Sequence, residues 1–433
     1  MNSAKLIQRF MTCYSRRRCL SYSMLHQKKQ FCTKPDNKLM TQLQSKINFS
    51  GPITVAEYMK EALTHATEGY YIHSDVFGVA GDFITSPEIS QMFGELIAIW
   101  FVNEWMMIGA PENVQLVEMG PGRGTMADDM LRAFSKFPEL SKALSVHLVE
   151  VSVTLSRLQE EKLSATPDQP APSSKEGELH YKSCLSKYGP CVYWYRDIKD
   201  VPAGCNMFVA HEFFDALPIH KFQKTEHGWR EVLVDIDPET ENKLRFVLAR
   251  GDTPASKLAL KLCDGDDREH VEVCPQAALV MNYLASCIQE HGGCALIADY
   301  GHHGDKQDTF RGFKDHALHE VLENPGCADL TSDVDFSYLK QHTDGKVKAY
   351  GPVTQSLFLQ NLGIAYRLKI LYDKADESGK ADLLSAFKLL TYPEEMGERF
   401  KFLALLNNAC QHNPVGFEPL PEDQPAQPTS EPT

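Results

Sequence analysis

The sequence predicts an α/β fold built on a mostly parallel sheet. Between residues 114 and 299, short apolar runs with the length and branching of buried strands alternate with helical patterns. The first run leads directly into a glycine-rich turn and a helix. Strands that alternate with helices indicate parallel pairing, because a crossover between parallel strands needs a long connection. We therefore expect helices on both faces of the sheet.

The elements of this pattern follow one another in the order that a parallel sheet requires. The predicted strands span residues 114–119, 146–151, 191–195, 206–210 and 294–299. The helices predicted after the first two strands span residues 126–137 and 153–163, each with apolar side chains on one face. Two alternating segments, 229–235 and 244–249, predict an inserted β-hairpin.

The region ahead of the sheet, residues 53–109, is predicted to be mainly helical. Residues 92–108 are strongly apolar but are interrupted by acids and an asparagine, which favours a buried core helix over a membrane span. Residues 85–88 (TSPE) predict the start of a helix, with capping hydroxyls, a proline in the first turn and an acid near the positive end of the helix dipole.

The first 35 residues differ from the rest of the chain in composition. They contain eight Lys and Arg residues and no acid before Asp36, and their apolar residues fall on one side of a helix. This composition is typical of a mitochondrial presequence, the alternative being a basic tail without structure. We expect a matrix protein with a presequence and flexible N-terminus over 1–45, a folded domain over 46–412 and a disordered tail over 413–433. Within the domain, 164–178 is predicted to be flexible and 219–290 to be accessory.

Charge and cysteine content limit the class of protein. Without the first 35 residues the formal charge is 36 − 58 = −22. Such a surface repels nucleic acid and anionic lipid and suits a cationic partner, although solubility alone would also explain it. The twelve cysteines form no CxxC pair, which argues against a zinc ribbon. The adjacent His302 and His303 have no third ligand spaced nearby, so no metal is expected.

The glycine loop after the first strand carries the main prediction of a ligand. Gly120, Gly122 and Gly124 form a GxGxG pattern, which departs from the GxGxxG spacing of dinucleotide-binding loops. Glu118 would repel a pyrophosphate but fits the ammonium group of a methionine-like ligand. Glu150 at the end of the second strand is placed to accept both hydroxyls of a ribose.

Together, ExGxGxG and the second acid resemble the signature of class I methyltransferases, which have a Rossmann-like fold and bind S-adenosylmethionine. The alternative is a tight strand–helix turn with unrelated acids. Asp197, after the third strand, lies where such folds place an acid near the adenine amine, but a solvated loop acid is an equal alternative.

The fourth strand leads into residues 211–218 (HEFFDALP), at the edge of the sheet that faces the acceptor in methyltransferases. Glu212 and Asp215, interleaved with aromatic residues, suit a cation held against apolar walls. A planar guanidinium pairs well with carboxylates. We therefore interpret Glu212 and Asp215 as acceptor residues and His211 as a candidate proton acceptor. The alternative is that the two acids cap a helix start.

Motifs along most of the folded part resemble those of the MidA-like family of mitochondrial and bacterial methyltransferases. They lie at 81–90 (GDFITSPEIS), 94–95, 118–124 (EMGPGRG), 211–218, 298–301 (ADYG), 326–331 (GCADLT), 351–355 (GPVTQ) and 393–397 (PEEMG). The resemblance implies a methyltransferase domain with added helical and β elements. It also implies that Asp82, Thr85 and Ser86 contact the cofactor, because the segment would pack over it.

The resemblance further implies an activity and a partner. These are symmetric dimethylation of arginine on the 49-kDa iron–sulfur subunit of complex I, early in the assembly of that complex. Two other functions stay open at this stage. One is methylation of a small amine or quinone-like molecule, and the other is a non-catalytic assembly chaperone that uses bound S-adenosylmethionine as a structural ligand.

Overall fold

The computed structural model describes residues 37–73, 84–166, 179–259 and 267–419. The predicted presequence, Asp82 and most of the C-terminal tail lie outside the described residues. The folded part begins and ends further out than the boundaries predicted at 46 and 412. Its first helix starts at Lys38 and buries Leu39. At the other end, the indole nitrogen of Trp100 donates a hydrogen bond to the carbonyl of Val415.

The described residues form the following strands: β1 (Ile53–Thr54), β2 (Val114–Met119), β3 (Leu144–Val149), β4 (Lys182–Leu185), β5 (Cys191–Tyr195), β6 (Asn206–His211), β7 (His220–Thr225), β8 (Gly228–Ile236), β9 (Leu244–Leu248), β10 (His270–Val273), β11 (Gly293–His302), β12 (Arg311–Lys314), β13 (Ala317–His319), β14 (Asp329–Thr331), β15 (Val334–Asp335), β16 (Val347–Thr354) and β17 (Phe400–Asn407).

The helices are α1 (Lys38–Ser50), α2 (Val55–Thr64), α3 (Tyr70–His73), α4 (Ser86–Ile89), α5 (Gln91–Met107), α6 (Thr125–Phe134), α7 (Pro138–Ala143), α8 (Val153–Leu163), α9 (Pro254–Ala259), α10 (Pro275–His291), α11 (Phe336–Gln341), α12 (Gln355–Asn361), α13 (Ile364–Tyr372) and α14 (Glu377–Thr391). In the described ranges, none of them has both the length and the apolar composition needed to cross a membrane.

A nine-stranded sheet forms the centre of the described structure. Its strands follow the order β16-β17-β11-β6-β2-β3-β5-β4, and β15 pairs with the end of β11. The five strands from β11 to β5 are parallel, whereas the pairs β11–β17, β17–β16 and β5–β4 at the two sides are antiparallel. The predicted mostly parallel sheet is therefore confirmed. Chain order reverses direction around β2, so ligands are expected at the carboxyl end of β2.

Helices cover both faces of the central sheet. On one face, side chains of α5 and α6 pack against alternate residues of β2, such as Leu116. On the other face, α10 packs against the opposite set, such as Val117. The alternation follows from the period of two along a strand. Glu118 shares the face of Leu116 and therefore points towards the side of α5 and α6.

The predicted hairpin is only part of a larger accessory sheet. Strands β8 and β9 pair as expected, but β1, β7 and β10 join them to make five strands among the described residues. Strand β7 reads HKFQKT and buries chiefly Phe222, so it gives little apolar signal. A two-residue strand such as β1 shows no periodicity at all, which is why the sequence does not reveal it.

The helix start predicted at residues 85–88 is real but short. Helix α4 spans four residues, and no hydrogen bond from the Thr85 side chain caps it. The long helix begins afterwards, where the Ser90 hydroxyl accepts a hydrogen bond from the Met92 amide at 3.2 Å. The capping hydroxyl is therefore Ser90 and not one of the predicted hydroxyls of residues 85 and 86, because the chain turns between α4 and α5 and starts a second helix.

Candidate active site

The glycine loop follows β2 directly and turns the chain into α6. Gly120, Gly122 and Gly124 have φ angles of 64°, 53° and 73°, a region that favours glycine. A Cβ on Gly120 would lie 3.1 Å from Cδ2 of Phe213, and a Cβ on Gly124 would lie 3.3 Å from Cγ of Gln159. The glycines are therefore required by the backbone conformation and, at two positions, by the space around the loop.

Glu118 lies just before the loop with 2% of its surface exposed. Within the described residues its Oε2 has no hydrogen-bond partner. Burial raises the pKa of Glu118 to about 8. A buried carboxylate oxygen without a donor is costly, and a ligand that brings an ammonium group removes that cost. This orphaned oxygen fits the methionine end of S-adenosylmethionine.

Glu150 lies one residue beyond the end of β3, whereas the sequence predicted that it ends the strand. Its Oε1 accepts a hydrogen bond from the Ser152 amide at 2.7 Å, and its Oε2 accepts one from Gln159 Nε2 at 3.0 Å. Burial raises the pKa of Glu150 to about 7, against the effect of these donors. The carboxylate is thus held in one orientation at the carboxyl edge of the sheet, beside the loop after β2.

Gln159 connects the acid to the glycine loop, a role that the sequence reading missed. Its Nε2 also donates to the carbonyl of Gly122 at 2.7 Å, and its Oε1 accepts from the indole of Trp194 at 2.8 Å. A signal was present in the sequence. Gln159 lies midway between Leu155 and Leu163 on the apolar stripe of α8, where a polar side chain needs buried partners.

The segment containing α4 lies against both the glycine loop and the acceptor motif. Arg123 Nη1 in the loop lies 3.6 Å from Glu88 Oε1. The Ser86 side chain is buried, and its backbone amide donates to the Glu212 carboxylate. Thr85 precedes α4 and is half-buried. The cofactor contacts of Thr85 and Ser86 stay predictions, and Asp82 lies outside the described residues.

Asp197 is exposed and has a local partner. Its Oδ1 accepts a hydrogen bond from the Lys199 amide at 3.0 Å, which caps the short turn at Ile198–Asp200. This geometry matches the alternative of a loop acid. The predicted contact with adenine is left untested by this arrangement.

The acceptor motif forms a loop after β6, and Asp299 of the neighbouring strand β11 holds it. Glu212 has a φ of 49°, and its amide donates to the carbonyl of Ala298 at 3.0 Å. Asp299 Oδ2 then accepts hydrogen bonds from the amides of Phe213 at 3.2 Å, Phe214 at 2.9 Å and Asp215 at 3.4 Å. In the sequence, Asp299 is visible only as the end of a predicted strand and as part of the ADYG motif.

Glu212 and Asp215 each use one carboxylate oxygen within the protein. Asp215 Oδ2 accepts a hydrogen bond from the Thr331 hydroxyl at 2.7 Å, and Glu212 receives the Ser86 amide. Their second oxygens, Asp215 Oδ1 and Glu212 Oε1, have no hydrogen-bond partner in the described ranges. The Glu212 side chain is 9% exposed and Asp215 is 7% exposed.

Burial raises the pKa of both acceptor acids. It brings Asp215 to about 6, and Glu212 lies well above its usual range because the charge of Asp215 adds to the effect of burial. Two buried acids with bare oxygens favour a ligand that carries positive charge and several N–H donors. A further acid borders this pair: Asp329 raises the pKa of Glu212, and its Oδ1 accepts a hydrogen bond from the Tyr71 hydroxyl at 2.6 Å.

His211 lies beside Glu212 as predicted, in an apolar environment. Its ring stacks against Phe400 at 5.9 Å between centroids and meets the edge of Phe93 at 5.0 Å. Burial lowers the pKa of His211 to about 3, so the imidazole is neutral at physiological pH. Its Nε2 lies 3.5 Å from Glu212 Oε1 and has no hydrogen-bond partner among the described residues. A pKa so far below physiological pH makes this imidazole a weak base, so its role as proton acceptor stays a prediction.

The residues of the cofactor site and those of the acceptor loop come together where Phe213 lies against Gly120. Phe213, in the acceptor loop, is the side chain that would obstruct a Cβ on Gly120. The glycine loop and the acids at 118 and 150 fit a methionine–adenosine ligand. The acids at 212 and 215 lie on the adjoining loop and fit a cationic acceptor. This is the arrangement needed to bring a methyl donor and its acceptor together.

Comparison with known proteins agrees with this reading. A family described as "Putative S-adenosyl-L-methionine-dependent methyltransferase" matches residues 96–353. The mitochondrial protein arginine methyltransferase NDUFAF7 of Rattus norvegicus is 53% identical over 378 residues, covering 86% of this chain and 85% of the relative. Its Drosophila melanogaster homolog is 46% identical over 373 residues, covering 85% and 84%.

A solved structure from Burkholderia thailandensis, bound to S-adenosyl-homocysteine, has a TM-score of 0.69 at 24% identity and covers 89% of this chain and 95% of its own. At that identity the likeness establishes the fold, which confirms the predicted class I methyltransferase architecture. The relatives are named mitochondrial, and this chain is a mitochondrial protein. The resemblance to the MidA-like family is also confirmed: the chain belongs to this family of S-adenosylmethionine-dependent methyltransferases.

Proposed function

We propose that this enzyme methylates the guanidinium group of an arginine side chain in a protein. The observation that carries the proposal is the pair of buried acids, each with one oxygen lacking a donor from the described residues. The pair lies on the loop whose Phe213 contacts the glycine loop. The names of the rat and fly relatives, both protein arginine methyltransferases, support the same acceptor.

A guanidinium matches the acid pair better than an ammonium does. It is planar and presents five N–H donors in a fixed fork, so that it can bond to two carboxylates at once. An ammonium is a compact charge on a flexible stem and gains less from two fixed oxygens. Phe213 is half-buried and would offer a flat apolar face on which a guanidinium stacks favourably, whereas Phe214 is buried in the core.

The acids would orient the guanidinium and localise its charge away from the attacking nitrogen. S-adenosylmethionine supplies an electrophilic methyl group bound to a sulfonium. In the transfer, a carbon–nitrogen bond forms at the guanidinium, the carbon–sulfur bond breaks, and one N–H proton is released. His211 is the candidate acceptor of that proton because of its position, with Nε2 at 3.5 Å from Glu212 Oε1, where an ionised Glu212 would stabilise the imidazolium that forms.

The finer proposal is that the acceptor is an arginine of the 49-kDa iron–sulfur subunit of complex I, dimethylated symmetrically in the mitochondrial matrix. The resemblance to the MidA-like family is its basis. The acidic composition of the chain is compatible with an arginine-bearing protein segment, because the chain contains 58 Asp and Glu residues but only 44 Lys and Arg residues. The acceptor would be presented before the complex assembles, while its arginine is still accessible.

The test is transfer of a labelled methyl group to proteins of a mitochondrial extract, followed by mass spectrometry. The proposal predicts label on an arginine of the 49-kDa subunit, with one methyl group on each terminal nitrogen. Label on lysine or on a small amine would contradict it. Rescue of complex I assembly by a Gly124 variant that no longer binds S-adenosylmethionine would favour the chaperone function instead.

A further inference from the structure

We propose that Asp299 is a positioning residue for methyl transfer, because it clasps the acceptor loop and thereby sets the directions of Glu212 and Asp215. The inference rests on the proposed function, since it assigns Asp299 to the presentation of the acceptor. Asp299 is completely buried on β11, the strand that pairs with β6. It would act through the loop and would not itself touch the guanidinium.

The hydrogen bonds of Asp299 show how one carboxylate holds the loop. Its Oδ2 accepts the amides of three consecutive residues, 213 to 215, at 2.9–3.4 Å. Its Oδ1 accepts a hydrogen bond from the amide of Tyr300, the next residue on β11, at 3.0 Å. Both oxygens are therefore engaged by the backbone. Three successive amides point to one oxygen only where the chain curls around it, as in an anion-binding nest.

The loop contains an unfavourable backbone conformation, which indicates that the hydrogen bonds to Asp299 are needed to hold it. Glu212 immediately precedes the three amides and has a left-handed φ of 49°. A non-glycine residue keeps such a conformation only where its surroundings enforce it. The Ala298 carbonyl receives the Glu212 amide on one side, and Asp299 receives the next three amides. Neighbouring residues of β11 thus dictate the turn that presents Glu212.

The far end of the loop is fixed by a second, independent contact. The Thr331 hydroxyl donates to Asp215 Oδ2, and the Ser332 amide donates to the Asp215 carbonyl at 3.1 Å. Asp215 is therefore held by its amide, its carbonyl and one carboxylate oxygen. Without the Asp299 clasp this anchor persists, but the segment between Glu212 and Asp215 loses its fixed path. The two bare oxygens would then lose their fixed positions relative to each other.

The test compares D299A and D299N by steady-state transfer to the purified 49-kDa subunit and by calorimetric titration with S-adenosyl-homocysteine. In D299A the amides lose their acceptor, and kcat/KM for the subunit is expected to fall about 100-fold, because small misplacements of reacting groups cost that much. In D299N the remaining oxygen still accepts from the loop while the hydrogen bond from the Tyr300 amide is lost, so activity is expected within about 10-fold of the unsubstituted enzyme. The dissociation constant for S-adenosyl-homocysteine should stay unchanged in both.

A matched control is E104Q, which alters another fully buried carboxylate. Glu104 lies on α5, and its Oε2 forms a hydrogen bond with His412 Nε2. The E104Q variant is expected to keep kcat/KM even if its melting temperature falls. If D299A does not fold, D299S replaces it, because a serine hydroxyl is too short to reach three amides. The inference is overturned if the folded D299A or D299S transfers as well as the unsubstituted enzyme, or if D299N is as inactive as D299A. Failure of the unsubstituted enzyme to methylate arginine would instead refute the proposed function.

Discussion

The cofactor half and the acceptor half of the site are both built from buried carboxylates, but their partners differ. In the cofactor half, Glu150 has donors on both oxygens, and these donors come from Ser152 and Gln159, at most nine residues away. In the acceptor half, the partners of Glu212 and Asp215 come from Ser86 and Thr331, more than 100 residues away. The first half is a local structure, whereas the second depends on the assembled domain.

The acids of the two halves also differ in what they leave unsatisfied among the described residues: in the cofactor half Glu118 has one bare oxygen and Glu150 has none, whereas in the acceptor half both acids have one. Glu150 is oriented before any ligand arrives, which favours tight binding at little cost in ordering. Glu212 and Asp215 keep one bare oxygen each among the described residues, and a cationic acceptor that binds there would supply the missing donors. The comparison teaches that cofactor binding and acceptor binding should be separable by substitution, except where the two halves touch.

The largest effect is expected where the two halves touch, at the contact between Gly120 and Phe213. Gly120→Ala places a Cβ 3.1 Å from Phe213 at a φ of 64°, so it strains the loop and displaces the acceptor motif. We expect affinity for S-adenosyl-homocysteine to fall about 100-fold or more and transfer to be lost as well. Titration calorimetry and transfer assays measure both. Gly345→Ala is the control, because it has a similar φ of 76° and nothing within 4 Å. Equal effects of the two substitutions would show that the contact with Phe213 is irrelevant.

The pH dependence of transfer should report the acceptor half. The pKa of Asp215 is raised to about 6 and that of Glu212 lies well above its usual range, so Asp215 loses its charge below that pH in addition to the protonation of Glu212, and binding of a cation weakens. We expect kcat/KM for the protein acceptor to fall about 10-fold per pH unit below about 6, and kcat to hold to lower pH, because the bound guanidinium favours the ionised acids. Loss of this fall in kcat/KM in D215N would confirm that Asp215 is the group responsible. An identical fall in that variant would contradict it.

A smaller effect is expected from the residue that joins the parts of the cofactor half. Gln159→Leu removes the donor to Glu150 and to the Gly122 carbonyl and leaves the Trp194 indole without its acceptor. We expect about 10-fold weaker binding of S-adenosyl-homocysteine with an unchanged KM for the protein acceptor. Gln355→Leu is the control, as a buried glutamine that donates to Leu390 outside the site. A change confined to acceptor KM would show that the division between the halves is wrong.

The smallest effect is expected at Asp197. This side chain is exposed and caps a neighbouring turn, so its interaction with a ligand would be screened by water. Asp197→Asn should change the affinity for S-adenosyl-homocysteine by less than about 3-fold. Loss of about 10-fold or more would instead assign Asp197 to the adenine contact.

The same comparison explains how much the sequence could predict. The parallel strands, the glycine loop and Glu150 follow from short-range patterns, and α8 was predicted with its observed bounds at Val153–Leu163. The presence of acids at 212 and 215 was also visible. Their bare oxygens were not, because these depend on which distant groups arrive beside them. No spacing in the sequence shows that Asp299 lies under the loop or that Thr331 contacts Asp215.

The central claim is that Glu212 acts on the acceptor and not on the cofactor. Its most direct test is Glu212→Gln, assayed for methyl transfer to the 49-kDa subunit and for binding of S-adenosyl-homocysteine by calorimetry. The substitution keeps the size and one oxygen of the side chain but removes the charge that faces the guanidinium. We predict that transfer falls about 1,000-fold while the dissociation constant for S-adenosyl-homocysteine changes less than about 3-fold. Loss of S-adenosyl-homocysteine binding, or undiminished transfer, would contradict the account.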